Sequence, residues 1–235
     1  MYLDGGRRHV LTVLSGDIHD FLEAAQDFRY LLSRGYPRLG ALTYVGNRYQ
    51  LPKQDREIMG RGVYPGHEAL ARRKRLLPPD RIARRAVAVD GYNVIITLES
   101  AFYGRPLIEC DDGPIRDASW VSNSYRASDV TDQVLEMIMD HLRGLGALSI
   151  VFLLYSSMSM SGELAMHINA MLSGRDLMGR AQALPNPAKE LAEFPGIVAT
   201  SNSVLIERVA EPFDLAGHII RREMPDIPVM ALNLE

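Results

Sequence analysis

The stretch that decides the fold is Ala86-Val87-Ala88-Val89-Asp90-Gly91-Tyr92-Asn93-Val94-Ile95-Ile96. An apolar run of strand length ends at Asp90, and a stretch with helical spacing begins at Asn93. This pattern predicts a buried strand that turns at once into a helix. In an open parallel sheet, ligands bind outside the carboxyl ends of the strands, so Asp90 lies where a site is expected. The alternative is that Asp90 caps the following helix, since aspartate is a preferred N-cap residue.

Short apolar runs alternate with helical patterns in the rest of the chain after Arg85. The strand-like runs cover residues 106–110, 148–154 and 196–199, with a weaker one at 181–184 and a final one at 229–232. Strand–helix alternation at this spacing predicts a parallel sheet with helices on both faces. We therefore expect a three-layer α/β domain over residues 86–235.

Helical spacing of apolar residues also characterises the beginning of the chain. Three helices are predicted, at residues 17–34, at 38–49 and from Pro52 to about Gly60, with Asp17 as the N-cap of the first. They predict a small all-helical module over residues 1–66. A basic connector, residues 67–85, joins it to the α/β domain.

The net charge of −3 conceals an asymmetry between the two parts of the chain. Residues 1–90 hold 16 Lys and Arg against 10 Asp and Glu, whereas residues 91–235 hold 10 against 19. Arginine guanidinium groups suit phosphate oxygens, so the basic part is expected to bind a polyanion such as nucleic acid. The alternative is a solvated helix face or a surface that docks on the acidic half. The predicted nucleic-acid-binding residues are Arg72, Arg73, Lys74, Arg75, Arg84 and Arg85.

Several classes of protein are excluded by what the sequence lacks. One cysteine, Cys110, excludes an internal disulfide and a cysteine-rich zinc site, and it fits a cytoplasmic protein in a reducing compartment. The longest apolar run, residues 147–155, is far shorter than the ~20 residues that span a bilayer, so no membrane association is expected. The first residues do not have the pattern of a signal peptide. A glycine-rich nucleotide-binding loop and a Gly-x-Ser-x-Gly elbow are both missing.

Acidic residues follow the second predicted strand as well as the first. The stretch Cys110-Asp111-Asp112-Gly113 ends that strand, with Arg116-Asp117 just beyond. Carboxylates gathered at one sheet edge repel one another unless a cation neutralises them, and hard oxygen ligands suit Mg²⁺ or Mn²⁺. We therefore predict a site for one of these ions. The alternatives are a turn at Asp112-Gly113 and an ion pair between Asp117 and Arg116. The predicted metal ligands are Asp90, Asp111, Asp112 and Asp117.

Polar residues also follow the strand-like run at 196–199. The stretch Thr200-Ser201-Asn202-Ser203 is suited to hydrogen-bond a phosphate or a water, and it is equally suited to cap a helix that begins near Val204. The residues predicted to take part in catalysis are Asp90, Asp111, Asn93 and Asn202.

Together, the strand–Asp-Gly-x-Asn motif, the acids after the second strand and the Thr-Ser-x-Ser segment resemble the PIN/NYN-like nuclease domains. That resemblance covers the chain from about Ala86 onward, and it implies an acid cluster that holds Mg²⁺ or Mn²⁺ and cleaves RNA. The whole chain also resembles a prokaryotic two-domain family of unknown function, domain of unknown function 434. The matching stretches are 28–36, 45–51, 90–94, 110–113, 116–117 and 161–165.

Two departures from the nuclease pattern affect the expected activity. Asn202 stands where the pattern has an aspartate, and Tyr155 ends its strand where an acid is also expected. An amide in place of a carboxylate removes a full charge from the cation site, so the resemblance implies a weakened nuclease. We expect a divalent-metal-dependent nuclease that acts on RNA. The alternatives are a catalytically inactive RNA- or protein-binding module and a metal-dependent phosphatase of a small molecule, and the sequence leaves the oligomeric state open.

Overall fold

The computed structural model describes residues 14–119, 125–232 and 234. Within these ranges the chain forms helices and strands that we number in chain order. They are α1 (Ile18–Ser33), α2 (Arg38–Arg48), α3 (Lys53–Gly62), α4 (Gly66–Arg75), β1 (Ala86–Asp90), α5 (Gly91–Phe102), β2 (Leu107–Glu109), β3 (Ile115–Asp117), α6 (Asp129–Gly144), β4 (Ser149–Tyr155), α7 (Ser161–Gly174), β5 (Gly179–Leu184), α8 (Pro187–Ala192), β6 (Ile197–Ala199), α9 (Ser203–Arg208), β7 (Glu211–Phe213), α10 (Leu215–Glu223) and β8 (Met230–Ala231).

The described chain divides into two compact units. The helical unit contains the described residues up to Lys74, Gly104–Ser119 and the described residues from Pro225 onward. The α/β unit contains Arg75–Tyr103 and the described residues from 125 to 224. This division differs from the predicted boundaries of 1–66, 67–85 and 86–235. About half of the predicted connector is helical, because residues 66–75 form α4. Residues 104–119, which were expected in the α/β domain, belong to the helical unit.

The helical unit is built on amphipathic helices, as the spacing predicts. Asp17 caps α1 by accepting hydrogen bonds from the backbone N–H groups of His19 (2.7 Å) and Asp20 (3.2 Å), which confirms the predicted N-cap. The apolar face of α1 is buried, with Phe21 and Phe28 fully enclosed. Three short strands complete the core of this unit: β2 pairs antiparallel with β3 and parallel with β8.

The α/β unit contains a five-stranded, all-parallel sheet in the order β5-β4-β1-β6-β7. The central strand β1 pairs with β4 on one side and with β6 on the other. Residues 86–90 are therefore the central buried strand, as predicted, and the weak strand expected near 181–184 is confirmed as β5. Helices α8 and α9 pack together on one face of the sheet. Ala88 and Val198 share a buried cluster with Leu191 of α8 and Leu205 of α9.

A glycine is required where β1 turns into α5. A Cβ atom on Gly91 would lie 2.4 Å from the Leu154 side chain and 3.0 Å from the Leu153 carbonyl oxygen on β4. The start of α5 therefore lies directly against the neighbouring strand, which fixes the direction of the residues that follow Asp90. Every helix in the described part of the chain is too short or too polar to cross a membrane.

Candidate functional site

The candidate site lies where the connections of the parallel sheet change direction. From β1 the chain moves to β4 and then to β5 on one side, and it later returns to β6 and β7 on the other side. The gap between the ends of β1 and β6 is thus the topological switch point, the usual ligand site of open α/β sheets. Asp90 ends β1 and Thr200 follows β6, so the two residues meet at this point.

Asp90 is buried, and its contacts separate the two interpretations of the sequence. Its carboxylate accepts a hydrogen bond from the Thr200 hydroxyl at 2.8 Å. Although Asp90 is the N-cap residue of α5, its side chain makes no capping hydrogen bond. Capping therefore does not explain this carboxylate. Burial raises its pKa to about 6, even though the hydrogen bond from Thr200 acts in the opposite direction. Within the described ranges, no cationic side chain pairs with it.

Asn93 is held in place by the strand next to β1. Its side-chain oxygen accepts hydrogen bonds from the backbone N–H of Ser201 (2.8 Å) and from the Ser201 hydroxyl (3.0 Å). The side-chain NH₂ group of Asn93 has no protein acceptor among the described residues. Asn93 thus presents two oriented N–H donors in the turn that follows Asp90. The sequence predicts that Asn93 orients a phosphate or a water, and that role stays a prediction.

Tyr155 ends β4, on the other side of Asp90. The phenol is half-buried, and burial together with the nearby Asp90 carboxylate raises its pKa. Tyr155 is therefore neutral at physiological pH and adds no charge where a carboxylate was expected.

Asn202, which the sequence predicts either to take part in catalysis or to cap a helix, is the N-cap residue of α9. Its side-chain oxygen accepts hydrogen bonds from the backbone N–H groups of Val204 (2.9 Å) and Leu205 (3.3 Å), and so caps α9. The capping alternative is the one that the structure shows. In the same way, Asp214 caps α10 by accepting from the backbone N–H of Gly217 at 3.0 Å.

We expect Asn202→Ala to lower the free energy of unfolding by about 1 kcal/mol, because an N-cap is lost. Asn202→Asp should leave stability unchanged, since aspartate caps equally well. Both variants keep Asp90 and Asn93. Urea denaturation of the two variants measures this directly, and an unchanged midpoint for Asn202→Ala would contradict the capping role.

The acids that follow β2 do not lie at an edge of the parallel sheet. The prediction that Asp111 and Asp112 end a strand of the same sheet as Asp90 is wrong, because β2 belongs to the separate three-stranded sheet of the helical unit. Asp112 forms a two-pronged ion pair with Arg116, at 2.7 and 2.8 Å, and Arg72 lies 3.5 Å from it. These contacts hold the hairpin from β2 to β3 together.

Asp111 and Asp117 are also tied to their own unit. Asp111 accepts a hydrogen bond from the backbone N–H of Tyr64 at 2.9 Å, and burial raises its pKa to about 6. Asp117 accepts from the backbone N–H of Ser119 at 3.0 Å and from the Ser119 hydroxyl at 2.5 Å. The described residues contain no group of three or more His, Cys, Asp or Glu that could hold a metal ion. Asp90 therefore belongs to the α/β unit, whereas Asp111, Asp112 and Asp117 belong to the helical unit and have hydrogen-bond partners within it.

Most of the arginines predicted to bind nucleic acid make contacts within the protein. Arg72 is buried against the ring of Tyr64, with 4.4 Å from guanidinium carbon to ring centre, and it pairs with Glu68 at 2.9 Å. The other three arginines with internal contacts bind as follows: Arg73 donates to the Asp111 carbonyl at 2.7 Å, Arg75 donates to the carbonyls of Ile206 and Val209, and Arg85 pairs with Glu211. Lys74 and Arg84 are exposed. The basic stretch is therefore used largely to hold each unit together.

Thr200 and Tyr92 are the residues of this region that sequence reasoning did not include among its site residues. Thr200 was considered only as a phosphate donor or a cap, and its bond to Asp90 joins residues 110 positions apart. The strand order, which the sequence does not specify, creates that contact. Tyr92 stands inside the Asp-Gly-Tyr-Asn motif, and that position is the signal that could have drawn attention to it.

Comparison with known proteins places the chain in a family. The family model described as "Domain of unknown function (DUF5616)" matches residues 79–218, and the one described as "Protein of unknown function (DUF434)" matches residues 20–75. An uncharacterised protein of Methanocaldococcus jannaschii is 30% identical over 200 residues, which cover 84% of this chain and 95% of that protein. No solved structure matches the chain. The chain therefore belongs to a two-domain family in which a DUF434 segment precedes a DUF5616 domain.

Proposed function

We propose that the α/β unit is a divalent-cation-dependent phosphodiesterase that acts on RNA. The observation that carries the proposal is the Asp90 carboxylate. It is buried at the topological switch point, it does not cap its helix, and it is not paired with a described cation. A carboxylate that is costly to bury and has no cationic partner is typical of a functional group. The preference for RNA is supported by the resemblance to PIN/NYN-like nucleases.

A single carboxylate, that of Asp90, fits a cation whose other ligands are mostly water. Mg²⁺ is commonly bound through one or two carboxylates, with waters and substrate phosphate as its other ligands. Asp90 is the carboxylate that would hold Mg²⁺ or Mn²⁺ here. When bound, such a cation polarises a phosphoryl oxygen as a Lewis acid. Because Asn202 and Tyr155 add no charge, we expect weaker cation affinity than a site with several acids would have.

The chain's own residues supply the remaining functions. Thr200 fixes the carboxylate of Asp90 through its hydrogen bond, so that the second carboxylate oxygen stays oriented. Asn93 is fixed by Ser201 and directs its free N–H groups toward a phosphate oxygen of the substrate. Both pairs join β1 or the start of α5 to the segment after β6. The rigid sheet therefore positions the groups that contact substrate.

The experiment that tests the proposal is a cleavage assay with the full chain. Single-stranded RNA, single-stranded DNA and a phosphomonoester are incubated with Mn²⁺ or with EDTA. We expect Mn²⁺-dependent cleavage of RNA that is lost in EDTA. Hydrolysis of the monoester alone would instead favour a small-molecule phosphatase.

A second candidate function is a catalytically inactive RNA-binding module. The observation that favours it is the lack, in the described part of the chain, of any group of three acids that could hold a metal ion. Under this alternative RNA binds equally well in Mn²⁺ and in EDTA, and it is not cleaved. Binding that falls steeply with added salt would show contacts to the phosphate backbone.

The affinity for Mn²⁺ should depend on pH through Asp90. The cation binds the ionised carboxylate, whose pKa is raised to about 6 by burial. Below pH 6 a proton competes with the cation, so the dissociation constant should fall about tenfold for each pH unit as the pH rises to 6. Above pH 7 it should be constant. Calorimetric titration with Mn²⁺ from pH 5 to 8 measures this, and a constant affinity between pH 5 and 6 would argue against Asp90 as the ligand.

A further inference from the structure

The α/β unit contains a pocket of about 280 Å³ that the proposed cation site does not use. It lies between α5, residues 125–127, α6 and the beginning of α7. Its floor is formed by the buried side chains of Tyr92, Tyr125 and Leu164. The volume is just below the range of about 300–1,000 Å³ that holds most small ligands, so the pocket suits a single flat ring system.

Tyr92 lines this pocket and carries a buried hydroxyl. Its side chain is 6% exposed, and its buried hydroxyl has no hydrogen-bond partner in the described part of the chain. A buried hydroxyl without a partner costs about 1–3 kcal/mol. A polar atom of a ligand in the pocket would offset that cost. Tyr92 also directly precedes Asn93, in the first turn of α5.

Tyr125 offers only its ring to a ligand, because its hydroxyl is already bonded. The Tyr125 hydroxyl donates to the buried carboxylate of Glu99 at 2.9 Å and lies 3.1 Å from the Thr131 hydroxyl. Its ring meets the ring of Tyr92 edge to face, with 5.3 Å between the centres. These contacts fix both rings before any ligand binds. Fixed aromatic surfaces favour the binding of another flat ring.

The rim of the pocket is polar, in contrast to its floor. Asp132 and His167 face each other at 2.7 Å, and Glu163 and Arg126 are exposed beside them. Carboxylates accept hydrogen bonds from amino groups such as those on nucleobases, whereas Arg126 suits a phosphate. Met160 is 63% exposed at the rim, and its backbone has a φ of 59°, a left-handed value that is uncommon for this residue type. Its flexible thioether is able to cover an aromatic ring.

We propose that this pocket binds the base of a nucleotide. The inference deepens the proposed function and rests on it: Tyr92 and Asn93 are consecutive residues of α5, and the base in this pocket would belong to the strand whose phosphate reaches Asp90. Two aromatic rings and a single hydroxyl at the floor, with a methionine at the rim, recognise a base by its flat face and one polar atom. The carboxylates at the rim favour bases that carry an exocyclic amino group, namely cytosine, adenine and guanine, over uracil.

The test is a set of calorimetric titrations of the full chain in EDTA, so that no cleavage takes place. The probes are the four ribonucleoside 5′-monophosphates, a four-nucleotide single-stranded RNA and, as a probe without a base, ribose 5-phosphate. We expect the nucleotides to bind at least tenfold more tightly than ribose 5-phosphate. Tighter binding of the tetranucleotide would identify an RNA strand as the source of the base, and equal binding would identify a free nucleotide.

Two variants and one control locate the binding. Tyr92→Phe removes one hydrogen bond and should weaken nucleotide binding about three- to tenfold. Ala127→Trp fills the pocket from an exposed position and should weaken it more than tenfold. Tyr36→Phe, an exposed tyrosine of the helical unit, should bind as the wild type does. Thermal unfolding of each variant shows whether it is folded.

The outcomes separate this inference from the proposed function. Equal affinity for ribose 5-phosphate and the nucleotides, or wild-type affinity in both Tyr92→Phe and Ala127→Trp, overturns the base pocket. Nucleotide binding that is lost in these variants supports the pocket even where the chain cleaves no RNA, and in that case only the phosphodiesterase proposal fails. If the chain cleaves RNA in Mn²⁺ and both variants keep the wild-type affinity for nucleotides, the phosphodiesterase proposal stands and the base-pocket proposal fails.

Discussion

Replacing Asp90 with asparagine should weaken Mn²⁺ binding and slow cation-dependent cleavage, each by at least about 100-fold, without lowering the free energy of unfolding. The amide still accepts the hydrogen bond from Thr200, so the local structure is kept while the charge is removed. A neutral amide is a poor ligand for a hard divalent cation. Metal titration, the cleavage assay and thermal unfolding of the same preparation measure the three properties together.

The effect on stability has a definite sign. The pKa of Asp90 is raised from 3.8 to about 6 by burial, so the folded state holds the proton more tightly than the unfolded state does. Protonated Asp90 therefore stabilises the folded state below about pH 4, and this stabilisation is lost as the pH rises to 6. At pH 7.5, Asp90→Asn removes the cost of a buried charge and should raise the free energy of unfolding by up to about 3 kcal/mol.

Asp214→Asn is the matched control for this variant. Asp214 is a second buried aspartate that follows a strand of the same sheet, but its carboxylate caps α10. Asparagine is an equally good cap, so stability and Mn²⁺ binding should both be retained. A loss of stability in Asp90→Asn comparable to the loss of a cap, with cation binding intact, would mean that Asp90 is structural.

Replacing Asp112 with alanine should destabilise the helical unit by about 3–5 kcal/mol. The carboxylate forms two hydrogen bonds with the buried Arg116 and lies beside the buried Arg72. Removing one partner of a buried ion pair leaves the other charge without this compensation, which is much more costly than losing an exposed pair. We expect the thermal midpoint to fall by about 10 °C.

Asp27→Ala tests whether this loss is specific to burial. Asp27 also contacts an arginine, Arg48, at 3.8 Å and accepts from the Tyr49 hydroxyl, but its side chain is 50% exposed. Exposed ion pairs contribute about 0–1 kcal/mol, so this variant should unfold close to the wild type. If Asp112→Ala is no less stable than Asp27→Ala, the Asp112 carboxylate has no structural role, and the prediction that it binds a ligand returns.

The central strand and its turn into α5 could be predicted from the sequence because local patterns determine them. Four apolar residues before Asp90 and a glycine directly after it leave few other arrangements. The same holds for α1, where apolar spacing and the Asp17 cap agree. In both cases the information lies within a few neighbouring residues.

The strand after residue 106 was assigned to the wrong sheet because its sequence does not identify its partner. A short apolar run fits either sheet. The distinguishing signal is the connection: Gly113, with a φ of 106°, turns β2 back into β3 within a few residues, and no crossover helix lies between them. A tight turn permits only antiparallel pairing of the strands that it joins. The alternative of a turn at Asp112-Gly113 therefore pointed to the correct sheet.

The roles of the arginines depend on residues that are distant in the chain. Arg85 pairs with Glu211, 126 positions away, and Arg75 donates to a carbonyl 131 positions away. A basic run has the same appearance whether it faces solvent or binds another part of the same unit. The charge of the sequence therefore predicted a polyanion surface where the fold uses most of these guanidinium groups internally.

The most direct test of the account is diffraction from crystals of the full chain soaked in Mn²⁺. We predict an anomalous peak at about 2.0–2.2 Å from a carboxylate oxygen of Asp90, and no such peak in crystals of Asp90→Asn. A well-occupied peak elsewhere with none at Asp90, or the same peak in both crystals, would contradict the assignment of Asp90 as the cation ligand.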